Sequence, residues 1–256
     1  MELIGEKMHI MDQCFLKALE ERDAAAVCMM ARSQVDGGAT ALDINMGRRK
    51  GLRTLTPWLL DVIREEIDLP LFLSSHVLGY PDLLKENRGA LVVNAVTADP
   101  AELGSTMKRV KDAELGLVVL LVSPELTPSD VNGRLQLAGQ VLETATEVGL
   151  PLEHIYVDPV IACRPDPATW SLSGGLPDMG AIHESIVLLK EMSEQWKTIV
   201  ALSNASACLA SDKRSALHCR LLPMLAGAGL DAVILNSRDA DLMAVAKDYA
   251  AISVAA

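Results

Sequence analysis

Ala41-Leu42-Asp43-Ile44-Asn45 is a short apolar run that closes on polar residues. Side chains alternate across a strand, so Asp43 and Asn45 share one face while Leu42 and Ile44 share the other. If the aliphatic face meets helices, the carboxylate and the amide face the inside of whatever the strand helps to enclose. Thr40 to Ile44 is one of eight such runs; the others are Glu2 to Gly5, Leu69 to Leu73, Ala90 to Val93, Leu117 to Val122, His154 to Val157, Thr198 to Leu202 and Ala232 to Leu235. Between them lie segments of helical period: Arg22 to Val35, Pro57 to Glu66, Pro100 to Asp112, Leu135 to Val148, Met179 to Glu191 and Ser215 to Ala228. Several of these end on Gly37-Gly38, Gly149 or Gly229, where a left-handed cap is easiest for glycine. Regular alternation of this kind predicts the α/β class and a single (β/α)8 TIM barrel, one domain spanning residues 1–256.

Composition agrees. Half of the 256 residues are hydrophobic but only 3% are aromatic, so the core must be built from Leu, Val, Ile, Ala and Met, which suits parallel strands covered by helices. No linker, composition shift or repeat divides the chain. A net charge of -11 opposes non-specific attraction to nucleic acid or anionic lipid. The longest aliphatic stretch, Leu115 to Val122, is far short of the roughly 20 residues that span a bilayer, and it reads as a buried strand. Cys14, Cys28, Cys163, Cys208 and Cys219 form neither ligand spacing nor a disulfide framework, which fits a reducing cytoplasm. The opening Met1-Glu2-Leu3-Ile4-Gly5-Glu6 shows no basic segment leading into a long apolar one, so no signal peptide is expected.

In a β/α barrel the chemistry sits at the C-terminal strand ends. The residues there are Glu6, Asp43 with Asn45, Ser74 with Ser75, Asn94, Ser123, Asp158, Ser203 with Asn204, and Asn236. A polar residue at one strand end is ordinary, because loops are wet; polarity at all eight is the informative observation. Parity puts Asp158 inward and Val157 outward, and a buried carboxylate needs donors. Carboxylates accept and can take two parallel N–H donors, whereas an asparagine amide offers both roles, so the set suits a flat, amide-rich heterocycle. Two longer connections, Ser123 to Gly133 and Ala162 to Gly180, follow strands that end in polar residues and are expected to shape the site. No glycine-rich phosphate loop is present. His9, His76, His154, His183 and His218 make no metal-binding pattern, and no metal site is expected; they read as surface or packing residues, with His9 and His76 the exceptions.

Ile4-Gly5-Glu6, Gly37-Gly38-Ala39 leading to Leu42-Asp43-Ile44-Asn45, Val93-Asn94, Tyr156-Val157-Asp158-Pro159, Leu202-Ser203-Asn204-Ala205-Ser206 and Gly229-Leu230-Asp231-Ala232 occur in that order. The ordered set, over nearly the whole chain, resembles the pterin-binding methyltransferases that use 5-methyltetrahydrofolate and a corrinoid protein. The resemblance implies a homodimeric barrel that holds the pterin in its mouth through Asn94 and Asp158, with the aspartate on the amino-pyrimidine edge. It also implies that Asn204 lies beside the nitrogen that carries the methyl group, making Asn204 the candidate catalytic residue. The candidate pterin-binding set is Glu6, Asp43, Asn45, Ser74, Asn94, Asp158, Ser203 and Asn204. Tetrahydrofolate or 5-methyltetrahydrofolate would be the substrate. No D-x-H-x-x-G corrinoid-binding motif occurs, so cobalamin is expected on a partner corrinoid protein.

The sequence departs from the family pattern at three places. Ser74 stands where a second pterin-facing aspartate is common, His9 where an asparagine is usual, and Ala207 where a longer polar side chain often follows the Ser-Asn motif. These departures motivate an alternative, a non-catalytic pterin-binding or scaffold subunit. Dihydropteroate synthase is disfavoured, because strand seven ends in Ser203-Asn204 and not in the lysine that family places there.

Overall fold

The computed structural model describes residues 1–80, 89–161 and 177–255. Eight parallel strands close into a barrel in sequence order. They are β1 (Glu2–His9), β2 (Ala41–Asn45), β3 (Leu71–Leu73), β4 (Leu91–Thr97), β5 (Gly116–Leu120), β6 (Ile155–Asp158), β7 (Lys197–Ala201) and β8 (Ala232–Leu235). The described helices are α1 (Gln13–Glu21), α2 (Ala24–Asp36), α3 (Leu52–Arg64), α4 (Leu103–Asp112), α5 (Val131–Val148), α6 (Met179–Met192), α7 (Ser211–Gly227) and α8 (Ala240–Ala255). The protein is a (β/α)8 TIM barrel. No described helix is long and apolar enough to cross a membrane.

Strand parity divides the core as the sequence suggests. Ile4, Ala41, Phe72, Val92, Val118, Tyr156, Ile199 and Ala232 fill the barrel interior. Leu42, Ile44, Leu117, Val119 and Val157 face outward into the layer shared with the helices. Phe72 and Tyr156 meet edge to face at 5.4 Å. Below them the interior closes on a polar cluster, where Lys197 Nζ lies 2.6 Å from Glu2 Oε1 and 3.1 Å from the Tyr156 hydroxyl.

β7 and β8 are tied at the same N-terminal end. The Asp231 carboxylate accepts from Thr198 N at 2.7 Å, Thr198 Oγ1 at 3.0 Å and Lys190 Nζ at 2.9 Å. Asp231→Ala removes the acceptor these three donors share and is expected to cost about 2–3 kcal/mol; chemical denaturation of the variant checks this.

The strands differ from expectation at two places that matter for the site. β1 continues to His9 and β4 to Thr97, and each carries a register irregularity, between Gly5 and Met8 against β2 and between Val93 and Val96 against β5. An irregularity of this kind breaks alternation and re-aims side chains. At β1 the Lys7 N–H donates to Gln34 Oε1 at 2.7 Å, from a side chain wholly buried beneath the strand. Gly5 admits that side chain, since a Cβ there would meet Gln34 Oε1 at 2.6 Å.

The helices also differ in detail. α3 begins at Leu52, so Pro57 lies inside the helix and not at its start. α2 is closed by Gly38 at φ 108°, while Gly37 keeps a right-handed φ of -67°. Gly149 and Gly229 take the left-handed conformation expected of them. The connection after β5 ends at Asp130, which caps α5 by accepting from Gly133 N at 2.8 Å, so Gly133 belongs to the helix. Most of the Ala162 to Gly180 connection, with Cys163, lies outside the described residues.

Candidate functional site

The barrel mouth holds a cavity of about 720 Å³. Seven of the eight anticipated residues line it: Glu6 from β1, Asp43 and Asn45 from β2, Asn94 from β4, Asp158 from β6, and Ser203 and Asn204 after β7. Ser74 does not. β3 is only three residues long and the chain turns at once into a short 3-10 helix, Ser75–Gly79. Ser74 is thereby buried, with its Oγ donating to Ile44 O at 3.5 Å. Asn236 also stays outside the lining, its Oδ1 accepting from Arg238 N at 3.3 Å. A second cavity of about 480 Å³ lies on the outer flank of α2, beside the Arg32–Glu66 ion pair, away from every strand end.

The mouth is acidic at its floor. Asp43 accepts from Asn94 Nδ2 at 2.9 Å, which joins β2 to β4 and commits one donor of that amide. Burial pushes the Asp43 carboxyl up to about 6, against the Asn94 hydrogen bond and with help from the Glu6 charge. Burial pushes Asp158 further, to about 7, although its Oδ1 accepts from Val160 N at 2.7 Å. Both acids therefore change charge near neutrality, as groups that handle protons or bind ligand donors often do. His9 is held below its usual range by burial, with Glu6 opposing. Its Nδ1 accepts from Met11 N at 3.0 Å, so the neutral ring carries its proton on Nε2 and is a donor.

No family model matches the chain. A methylcorrinoid:tetrahydrofolate methyltransferase from Eubacterium limosum is 24% identical over 250 residues, covering 95% of this chain and 88% of that protein. The chain is similar to that methyltransferase along nearly its whole length. The resemblance carried by the ordered strand-end motifs is thus to the same kind of protein. Solved structures of similar shape include the dihydropteroate synthase of Xanthomonas albilineans with 4-aminobenzoic acid, at TM-score 0.69 and 16% identity over 99% of this chain and 93% of that one. The Yersinia pestis dihydropteroate synthase in a sulfonamide drug complex matches at TM-score 0.67 and 10% identity, over 100% and 94%. At such identities these two show the shared barrel alone.

Relative to this homologue-like pattern, the mouth contains residues that parity did not single out. Lys7 lines the cavity beside Glu6, 3.5 Å from its carboxylate, because the β1 irregularity turns consecutive residues inward. Ala95 joins Asn94 for the same reason on β4. Asp12 lines the rim while capping α1 through Cys14 N and Phe15 N. Arg214 reaches the cavity from the first turn of α7, with Nε donating to Leu209 O at 3.0 Å. An arginine in a helix following the Ser203-Asn204 strand end was the one available signal, since that turn must return past the mouth.

Proposed function

We propose that the chain is a pterin-binding barrel that moves a methyl group between a corrinoid carried by a partner protein and tetrahydrofolate, acting in the cytoplasm as a homodimer. The observation that carries this reading is the convergence of Asp43, Asn94, Asp158 and Asn204 on one cavity, in a chain whose homologue is named for that reaction. The amino-pyrimidine edge of a pterin presents adjacent N–H donors, and the Asp158 carboxylate can accept them as a fork. The docked corrinoid supplies the cobalt that carries the methyl group or receives it. Methylation of the pterin nitrogen releases the proton that nitrogen bore, and demethylation requires one back. Asp43, a carboxyl titrating at about 6 and held by Asn94, is suited to take that proton and return it. Asn204 can hydrogen-bond the reacting nitrogen as its charge changes. One site serves both directions, because the transition state is the same.

Pterin binding through Asp158 requires its carboxylate, while the empty site titrates at about 7. A proton therefore competes with the ligand, and tetrahydrofolate affinity is expected to fall about tenfold per pH unit below 7. Titrations at pH 8, 7, 6 and 5.5 check this; a flat profile would remove Asp158 from the contact.

The function itself is tested by mixing the protein anaerobically with methylcobalamin and tetrahydrofolate. Formation of 5-methyltetrahydrofolate over many turnovers is the expected result. Tight tetrahydrofolate binding without methyl transfer would favour the non-catalytic pterin-binding alternative.

A further inference from the structure

The 3-10 turn that follows β7, Leu202–Ser206, carries Ser203 and Asn204 into the mouth. Asn204 is exposed there, and the hydrogen bond that closes the turn, from Ala207 N to Asn204 O, is long, at 3.4 Å. Ser206 is wholly buried under the turn, and His218, 6% exposed, reaches it from α7 with Nε2 2.8 Å from Ser206 Oγ. Ser206 Oγ also lies 3.1 Å from Ser203 O, as donor. A hydroxyl has one proton. If Ser206 gives it to the Ser203 carbonyl, the imidazole must be the donor to Ser206, which assigns the Nε2–H form to His218.

The result is a directed chain from the His218 N–H to the Ser206 O–H to the Ser203 C=O. That carbonyl belongs to the peptide joining Ser203 to Asn204, so the chain fixes the plane from which the Asn204 side chain departs. Consecutive hydrogen bonds pointing one way also strengthen each other. α7 carries Arg214 one turn before His218, so the helix that braces the turn also lines the mouth.

We propose that His218, acting through Ser206, is a positioning residue for Asn204. The proposal rests on the reading of Asn204 as the methyl-transfer residue given above. His218→Leu keeps the buried volume and removes the donor, Ser206→Ala removes the middle link with little change of volume, and His218→Gln places an amide N–H near the original Nε2.

The test has two readouts on the full chain. The first is hydrogen exchange over residues 203–207, which needs no activity. Exchange is expected to speed up in His218→Leu and Ser206→Ala and to return toward normal in His218→Gln. Unchanged exchange in both disrupting variants overturns the proposal. The second is single-turnover methyl transfer from methylcobalamin to tetrahydrofolate, beside the tetrahydrofolate Kd. The rate is expected to fall roughly tenfold or more in both disrupting variants, as misplacement of a reacting group does, with Kd within about twofold and the rate regained in His218→Gln. The double variant is expected to be no slower than Ser206→Ala alone, because both lie on one chain. Faster exchange with unchanged transfer, or equal losses in rate and Kd, overturns the positioning role. Absence of methyl transfer in the unmodified protein fails the proposed function instead, and the exchange readout still decides whether His218 orders the turn.

Discussion

Asp158→Asn is expected to melt at a higher temperature than the unmodified protein at pH 8 while binding tetrahydrofolate roughly a hundredfold more weakly, the loss that follows when a charged acceptor facing two donors is replaced by an amide. The stability half of this result follows from proton linkage. The Asp158 carboxyl titrates at about 7 in the fold and at 3.8 as an unperturbed side chain. Between those values the folded chain binds a proton that the unfolded chain does not, so stability is fully present below 3.8 and is lost as pH rises through 7. At pH 8 that loss amounts to at most about 4 kcal/mol. Asparagine does not ionise and can keep the acceptor that Val160 N–H uses, so it escapes the loss. A melting-temperature gain of roughly 5 °C or more at pH 8, vanishing near pH 4, is the expected profile. A variant less stable than the unmodified protein at both pH values would mean that the carboxylate is solvated or paired in the fold. A residue that costs stability and is expected to serve binding is the pattern functional sites show.

Asn204→Ala is expected to leave the tetrahydrofolate Kd nearly unchanged and to slow methyl transfer about a hundredfold, the usual scale for removing one hydrogen-bonding group from a transition state. In the proposed site binding falls to Asp43, Asn94 and Asp158, which sit on strands, whereas Asn204 stands on the turn after β7. Single-turnover kinetics separate the two quantities. A large rise in Kd with an unaltered rate at saturation would make Asn204 a binding residue and leave the reacting nitrogen without its partner.

Much of this was legible in the residues. A period of two over Ala41-Leu42-Asp43-Ile44-Asn45 and over Tyr156-Val157-Asp158 fixes which side chains face inward, and the barrel keeps that parity at both strands. What the pattern could not contain is where parity is broken. The irregularities at Glu6-Lys7 and Asn94-Ala95 arise from register with neighbouring strands and, at β1, from a buried Gln34 on a different element. Ser74 was placed with the mouth because it follows an apolar run, yet β3 stops at Leu73 and the turn after it carries the hydroxyl toward Ile44 O. The position where the resemblance led one to expect a second aspartate is therefore buried against backbone in this protein. His218 offered no signal at all, since its partner Ser206 is joined to it only by the folding of α7 against the β7 turn.

Isothermal titration of the purified protein with tetrahydrofolate at pH 8, repeated on Asp158→Ala, tests most directly whether the mouth is a pterin site. Binding by the unmodified protein that is lost in the variant, with the barrel still folded, is the expected result. Absence of binding by the unmodified protein, or equal binding by both, would contradict it.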